Sequence, residues 1–371
     1  MQLFVELFGN IGNFTWPQGL MILIGGALIW CAIKRDMEPT LLLPMGFGAI
    51  LMNLPFVNTE AIETLFEAGI ATELFPLLLF IGIGAMIDFG PLLSNPKMML
   101  FGAAAQFGIF FTLGMAVFLG FHLEDAASIA IIGAADGPTS IYVANYFKSH
   151  YQGAIMVAAY SYMALVPIVQ PPIIRLCTTK RERMIHMPYN PSAVSGTTRI
   201  LFPIFVTVVA GTIAPKSAEL IGFLMFGNLI RECGVLGSLS NSAQNELANL
   251  ITLLLGLSVS FRMKAEAFVT WETLAILLLG LVAFVFDTVG GVMFAKLLNL
   301  FSKNKINPMV GAAGISAFPM SSRVVHKMGR EADQSNFLLM HAAGANVSGQ
   351  IASVIAGGLV ITLVENALAG L

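Results

Sequence analysis

Charged side chains are scarce in this chain of 371 residues. Lys, Arg, Asp and Glu make up 11% of the sequence, whereas a soluble domain usually carries about 25%. Hydrophobic residues make up 57% of the chain, and the mean hydropathy is +0.82. The net charge is -2, and no cluster of Lys and Arg resembles a phosphate-binding face, which excludes nucleic acid as a partner. The composition therefore predicts an integral membrane protein.

Cysteine pairs and the motifs of soluble enzymes are also missing. Cys31, Cys177 and Cys233 are far apart and form no CxxC, so we expect three small apolar fillers rather than a disulfide or a metal site. The sequence contains no GxSxG, HExxH or P-loop motif. The first residues lack a basic region and include Glu6, so no cleavable signal peptide is expected. Any chemistry is therefore expected at polar groups inside the membrane.

Apolar runs long enough to cross a bilayer recur along the chain. Twelve segments are predicted, near 17–33, 40–57, 71–93, 97–120, 125–147, 151–176, 199–214, 218–231, 244–262, 270–298, 306–325 and 335–363. The predicted fold class is an all-α polytopic membrane protein.

The distribution of Lys and Arg orients these segments, because cytoplasmic loops carry the excess of positive charge. Three regions should be cytoplasmic: the end of the first segment at Arg35, the loop at Lys97 and the basic stretch 177–198. That pattern requires the fifth segment to turn back at Asp136-Gly137-Pro138, and it allows the eleventh to re-enter from the cytoplasm. We predict about ten crossings plus two re-entrant broken-helix hairpins, with both termini outside. Four basic residues fall on the wrong side of this arrangement: Lys148, Lys216, Arg262 and Lys264.

The two halves of the chain resemble each other. Ile132-Gly-Ala-Ala-Asp136 is similar to Val310-Gly-Ala-Ala-Gly314, and two further matches occur in the same order. Because the halves start on opposite sides of the membrane, they predict two inverted-topology repeats, the architecture of many ion-coupled transporters. The predicted domains are 1–176, the first repeat with an N-terminal segment, 177–198, a basic cytoplasmic linker, and 199–371, the second repeat.

A carboxylate stands beside two helix breakers in Gly133-Ala-Ala-Asp136-Gly137-Pro138-Thr-Ser140. Since lipid tolerates neither a free charge nor an unpaired backbone, this segment should line a protected polar site. Asp136 is the prime candidate for a Na+ ligand, joined by the hydroxyls of Thr139 and Ser140 and by freed carbonyls. A proton-binding site is the close alternative. A third possibility is a purely structural role, in which Asp136 caps the break of a kinked helix.

A second broken segment runs from Asn307 to Pro319 in the other half. Asn307 and Ser316 offer neutral oxygens, and Gly311 allows close approach of the backbone. Arg323 lies just beyond and could bind a carboxylate substrate with its guanidinium group, or could anchor the cytoplasmic side together with Lys327 and Arg330. Two broken helices in corresponding places predict an ion or substrate site near the middle of the membrane.

The sixth and twelfth segments carry further polar side chains. Tyr162 could donate or relay a proton, and Asn346 could bind an ion, although such residues also hold helices together. Neighbouring polar residues share these segments: Tyr160, Ser161, His341, Ser348, Gln350 and Ser353. Asp88 and Asp287 are weaker site candidates.

At these motifs the sequence resembles the beta subunit of sodium-pumping biotin-dependent decarboxylases, a family that serves oxaloacetate, methylmalonyl-CoA, glutaconyl-CoA and malonate decarboxylase complexes. The resemblance covers essentially the whole chain. It is most specific in the segment from Gly133 to Tyr142 and in the segment from Asn307 to Arg323. It implies a subunit that decarboxylates carboxybiotin and couples this step to Na+ export with proton consumption.

The resemblance also implies roles for single residues. Asp136, Tyr162 and Arg323 would be catalytic, with Arg323 meeting the carboxybiotin carboxylate. Na+ would be bound by Asp136, Asn307 and Ser316. Further candidate Na+ ligands are Thr139, Gly311 and Asn346.

The implied cofactors are Na+ and a carboxybiotin carried on a partner subunit. The implied partners are a carboxyltransferase subunit, a biotin carrier protein and a small membrane subunit, and a homo-oligomer is compatible with them. The expected location is the cytoplasmic membrane of a prokaryote. A secondary transporter for a small carboxylate, driven by Na+ or H+, is the alternative that explains the repeat, Asp136 and Arg323 without biotin.

Overall fold

The computed structural model describes residues 14–35, 37–55, 57–188 and 194–370. These residues form helices joined by short turns, and this part of the chain contains no strand. The helices are α1 Trp16–Arg35, α2 Pro39–Met52, α3 Glu60–Phe66, α4 Leu74–Met86, α5 Gly90–Ser94, α6 Met99–Ala104, α7 Phe107–Phe118, α8 Leu123–Ala130, α9 Gly137–Tyr146, α10 Gln152–Cys177, α11 Lys180–Arg183, α12 Gly196–Ile213, α13 Ala218–Glu232, α14 Gly237–Ser242, α15 Ala248–Val259, α16 Ala265–Phe268, α17 Trp271–Phe301, α18 Met309–Ala312, α19 Met320–Ala332 and α20 Leu339–Ala369. The all-helical fold class is thereby confirmed, and it follows from the need to pair every backbone polar group within lipid.

Several of these helices are long and apolar enough to span a bilayer. Among the described residues, five spans pass this test: Trp16–Arg35, Pro96–Phe118, Gly196–Ile213, Trp271–Phe301 and Leu339–Ala369. The number rises to seven if two bent pairs, α3 with α4 and the two halves of α10, each count as one span. The predicted count of ten crossings stays a prediction.

Both predicted broken helices are broken where the sequence indicated. In the first half, α8 passes into a 3-10 turn, Ile131–Ala134, and α9 begins at Gly137. Ala135 between them has a φ of 51°, a left-handed conformation that non-glycine residues rarely adopt. In the second half, α18 ends at Ala312 and α19 begins only at Met320.

Small residues let the helices approach closely. On α4 and α13, a Cβ added at Gly84 would lie 1.9 Å from the Leu224 carbonyl oxygen, and one added at Gly227 would lie 2.1 Å from that of Ile81. Such contacts between small residues are typical of helix packing in membranes, where van der Waals contact drives association. All three cysteines are free and half-buried.

The basic linker packs against the second half. Of the predicted linker 177–198, residues 189–193 lie outside the described part of the chain. The short α11 is capped at Thr179 and Glu182, which form a reciprocal capping box. The carbonyl groups of Arg183 and Ile185 accept hydrogen bonds from the Asn307 side chain, each at 2.9 Å. The linker therefore covers the start of the second broken segment.

Candidate functional site

The two broken helices meet in the interior of the protein. The backbone N–H of Ser316 donates to the Ala134 carbonyl at 3.3 Å, and the Ser316 hydroxyl donates to the same oxygen. On α20, the Gln350 side chain donates to the Ser316 carbonyl, and the Asn346 amide donates to the Ile315 carbonyl at 2.6 Å. Backbone groups that the breaks release are thus paired with each other and with α20, as the absence of water in lipid requires.

Asp136 occupies the first break and caps α9. Its Oδ1 accepts the backbone N–H of Thr139 at 3.4 Å, and its Oδ2 accepts the hydroxyls of Thr139 at 2.7 Å and Ser353 at 2.9 Å. The residue is only 3% exposed, and no Lys or Arg forms an ion pair with it in the described part of the chain. The carboxyl group is held by hydroxyls and by the N-terminal end of α9, where a negative charge is favoured.

A cavity of about 240 Å³ opens beside Asp136. Its polar wall includes Asp136, Tyr160, Ser316 and Gln350. Its other walls come from α2, α4 and α15 and from the residues around the second break, among them Leu41, Ile83, Ala248, Phe318 and Pro319. The site therefore lies where the two breaks face the packed helices of both halves.

Two tyrosines two residues apart on α10 have different surroundings. The ring of Tyr160 packs on the backbone at Gly137, where an added Cβ would lie 2.1 Å from a ring carbon. Its hydroxyl is buried in the cavity wall without a hydrogen-bond partner among the described residues. Tyr162 instead donates its hydroxyl to the Leu277 carbonyl on α17 and does not line the cavity. The structure thus places Tyr160 at the cavity and Tyr162 at a helix interface.

The sequence-predicted residues of the second segment lie at different places. Ser316 reaches the cavity, whereas the Asn307 side chain is occupied by two linker carbonyls and by the backbone N–H of Met309. Gly311 packs against Gly291 on α17, because a Cβ there would lie 2.0 Å from the Gly291 oxygen. Arg323 is exposed on α19, one turn beyond Pro319.

Sequence reasoning gave too little weight to one face of α20. Asn346, Gln350 and Ser353 are spaced by four and three residues, so they share a helix face. All three are buried against the breaks, and the Asn346 Oδ1 is left without a hydrogen-bond partner in the part of the chain described. This spacing was the signal that could have identified Gln350 and Ser353.

The donor set suits a hard cation. Carboxylate, hydroxyl and amide oxygens come from Asp136, Thr139, Ser353 and Asn346, and such oxygens suit Na+ better than softer metals. No group of three or more His, Cys, Asp or Glu residues that could hold a metal occurs within the described ranges. The Asn346 Oδ1 atom is buried and has no hydrogen-bond partner among the described residues, so it keeps its capacity to accept.

Comparisons with known proteins show what the chain is similar to. The family model for the "Na+-transporting oxaloacetate decarboxylase beta subunit" matches residues 17–364. The methylmalonyl-CoA decarboxylase subunit beta of Veillonella parvula is 48% identical over 354 residues, covering 95% of both chains. The glutaconyl-CoA decarboxylase subunit beta of Acidaminococcus fermentans is also 48% identical, covering 95% of this chain and 94% of that protein. The oxaloacetate decarboxylase beta chain of Haemophilus ducreyi is 42% identical, covering 98% of this chain and 99% of its own.

Proposed function

The chain belongs to the family of Na+-transporting decarboxylase beta subunits, and on this premise we propose that its cavity at Asp136 is where carboxybiotin decarboxylation is coupled to Na+ export. Members of this family act in multi-subunit complexes with a biotin carrier and a carboxyltransferase. The observation that carries the proposal is the meeting of two broken helices at one buried carboxylate, beside a cavity with an unpaired phenol.

Na+ is the cargo, and we assign its ligands to the first break and to α20. Asp136 supplies the charge, Thr139 and Ser353 supply hydroxyl oxygens, and Asn346 supplies its unpartnered amide oxygen. Ser316, whose hydroxyl donates to the Ala134 carbonyl, holds the first break in place from the second. Asn307 and Gly311 fix the second segment against the linker and α17, so we assign them positioning roles in the ion path.

Carboxybiotin on a partner carrier supplies the carboxyl group that is released as carbon dioxide. Arg323, exposed one turn beyond the cavity wall at Pro319, attracts a carboxylate from the cytoplasmic side. The reaction consumes a proton, and Tyr160 is placed to hold it because its hydroxyl faces the cavity with no protein partner. Tyr162 acts on this step through the position of α10, which it ties to α17.

Coupling follows if Na+ and the proton compete at Asp136. A buried carboxylate binds either a cation or a proton, since an unneutralised charge there is costly. When Tyr160 gives its proton to the decarboxylation step and takes the proton of Asp136 in its place, Tyr160 is neutral again and Asp136 becomes charged and able to bind Na+. The direction of transport then depends on which side of the membrane the cavity faces in each state.

The inverted repeat belongs to this proposal, and the packing of the helices supports a repeat. If α1, α2, α4 and α10 correspond to α12, α13, α15 and α20, helix contacts recur in pairs. The contact of α1 with α2 corresponds to that of α12 with α13, and the contact of α2 with α15 corresponds to that of α13 with α4. If α6 also corresponds to α17, the contact of α10 with α17 corresponds to that of α20 with α6.

The proposal also includes the topology, with ten crossings, two re-entrant hairpins and the domains 1–176, 177–198 and 199–371. It further includes a small membrane subunit as partner and a homo-oligomeric assembly. The relatives come from bacteria, which supports a location in the cytoplasmic membrane. A secondary carboxylate transporter is not favoured, because the relatives are named as decarboxylase subunits.

The test is Na+ uptake into inside-out proteoliposomes that hold the chain with its biotin-carrier complex. We expect uptake that requires a carboxyl donor, stops when avidin binds the biotin, and is absent in Asp136→Asn. Glu219→Gln, which neutralises an exposed carboxylate on α13, is the matched control and should leave uptake unchanged. Uptake driven by a carboxylate gradient and indifferent to avidin would establish the secondary transporter instead.

A further inference from the structure

A second fully buried carboxyl group lies in α17, away from the cavity wall at Asp136. Asp287 is 0% exposed, and its Oδ1 accepts a hydrogen bond from the backbone N–H of Gly108. Gly108 lies in the first turn of α7, directly after the turn at Ala105 and Gln106. The first N–H groups of a helix have no partner within it, so Asp287 caps α7 from the side of another helix.

The other oxygen of this carboxyl group faces the first broken helix. Within the described part of the chain, Asp287 Oδ2 has no hydrogen-bond partner. It lies against Gly133, because a Cβ added to that glycine would be 2.8 Å from Oδ2 and 2.8 Å from the Ala283 Cβ. Gly133 belongs to the 3-10 turn Ile131–Ala134, three residues before Asp136. The unpartnered oxygen thus touches the element that positions the Na+ ligand.

The packing around Oδ2 decides which ion it can bind. A sodium ion needs several oxygen ligands and space for itself, whereas Oδ2 is closed off from solvent, has no hydrogen-bond partner among the described residues and lies beside Gly133. A proton needs neither. A charged carboxylate with one bare oxygen in apolar surroundings is far more costly than a neutral carboxylic acid at the same place.

We infer that Asp287 is a proton-binding site that is coupled to the first broken helix. The carboxylate takes one proton from water at Oδ2, which gives the neutral acid, and later returns it to water. In the neutral form the turn at Gly133 packs on α17 as the structure shows. In the charged form Oδ2 requires hydration, so the turn and α17 must separate.

This inference rests on the proposed function, since it links proton uptake to the position of the turn that carries Asp136. Few other titratable groups reach α17 from the described elements packed on it. Tyr162 donates to the Leu277 carbonyl, and Glu182 of the linker pairs with Lys296 at 3.1 Å. Both contacts are about two and a half turns or more along the helix from Asp287, at 3.6 residues per turn. α7 contributes the backbone N–H of Gly108, which does not titrate.

The experiment compares Asp287→Asn with the wild-type complex in proteoliposomes across the neutral pH range. The asparagine keeps an oxygen that can accept the Gly108 N–H and cannot be charged. We expect wild-type Na+ uptake per carbon dioxide released to change with pH, and Asp287→Asn to lose that pH dependence. Thr288→Val is the matched control, because it removes a buried hydroxyl that bonds only within α17, to the Phe284 carbonyl, and should keep the wild-type profile.

A pH profile of Asp287→Asn that matches the wild type would overturn the inference. If Asp287→Asn does not assemble, the test uses the Asp136→Asn complex instead. Infrared difference spectra of that complex are recorded between two pH values in the neutral range. A band of a protonated carboxyl that persists there supports a second buried titrating group, and its absence overturns the inference. The infrared band does not depend on transport, so it tests the inference separately from the proposed function. The proposed function fails if wild-type uptake is indifferent to biotin.

Discussion

The two breaks, one at Asp136 and one between Ala312 and Met320, carry different chemistry. The first holds Asp136, whose Oδ2 accepts two side-chain hydroxyl groups, while Gly314 occupies the aligned place in the second. The second break offers neutral groups, and its Ser316 hydroxyl and backbone N–H both point at the Ala134 carbonyl of the first. In the proposed site one carboxylate matches one monovalent cation, whereas a second carboxylate at the aligned place would bind a second cation or a proton. In the proposed function the first break binds the ion, and the second break holds the first in place through Ser316.

Among the variants that test the difference between the two breaks, Asp136→Asn should have the largest effect on Na+ transport. The amide keeps the size of the side chain but removes the negative charge, which is the only charge among the proposed ligands and the main attraction for Na+. We expect donor-dependent Na+ transport to be lost, with assembly intact by size-exclusion chromatography. Ser316→Ala is the matched change in the second break and should weaken the apparent Na+ affinity by about tenfold, the scale of one hydrogen bond. Equal effects of both variants would remove the distinction between the two breaks.

Tyr160→Phe should have the next largest effect. Its hydroxyl has no protein partner to lose within the described residues, so the thermal stability should not fall. General acid–base groups contribute about 10²- to 10⁴-fold, so we expect the decarboxylation rate to fall by about a hundredfold.

Tyr162→Phe provides the contrast on the same helix. It loses the hydrogen bond to the Leu277 carbonyl, which should lower the free energy of unfolding by about 1 kcal/mol, with a smaller change in rate. A rate loss confined to Tyr162→Phe would return the proton-transfer role to that residue, as the family resemblance implies.

Asn307→Ala should have an intermediate effect, chiefly on stability. The side chain is 0% exposed and donates to the carbonyls of Arg183 and Ile185. Leaving these groups without that partner costs about 1–3 kcal/mol. We expect a lower unfolding temperature and faster proteolysis of the linker, with Na+ affinity changed less than in Ser316→Ala. A fall in Na+ affinity at unchanged stability would show instead that Asn307 binds the ion directly.

Asp333→Asn should have the smallest effect of these variants, on the contact between the linker and the end of α19. The side chain and backbone of Ser335, together with His186 at 2.8 Å, lower the pKa of Asp333 to about 2. A lowered carboxyl pKa means that this contact stabilises above the ordinary aspartate pKa of about 3.9 and is lost as pH falls through about 2. At neutral pH Asp333 is ionised, so Asp333→Asn removes the negative charge from this contact and should increase linker proteolysis only slightly.

Much of the architecture could be predicted from local sequence features. The positions of both breaks follow from glycine and proline beside polar residues in apolar runs, whereas the helix Glu60–Phe66 lies between two predicted segments and α19 runs past the predicted end at 325 to Ala332. Charge scarcity alone indicated lipid as the solvent. These are local properties, because a helix in a membrane must satisfy its own backbone.

The composition of the site could be predicted only in part. Asp136 and Ser316 were identified from their motifs, while Ser353 and Gln350 entered the prediction only as general polar residues of the last segment. Tyr160 and Tyr162 differ by two positions, about 200° around a helix, so one faces the cavity and the other faces α17. Nothing in the local sequence indicates which of these faces meets Asp136.

The sequence by itself determined that this protein is helical, that it is compatible only with an apolar solvent, and where two of its helices must break. The tertiary structure decided that the two breaks touch, that Ser353 of α20 donates a hydrogen bond to Asp136, and that Asp287 lies against the turn at Gly133. The reason is physical. Hydropathy and backbone pairing act between residues a few positions apart, whereas a binding site depends on contacts between residues such as Asp136 and Ser353, separated by 217 positions.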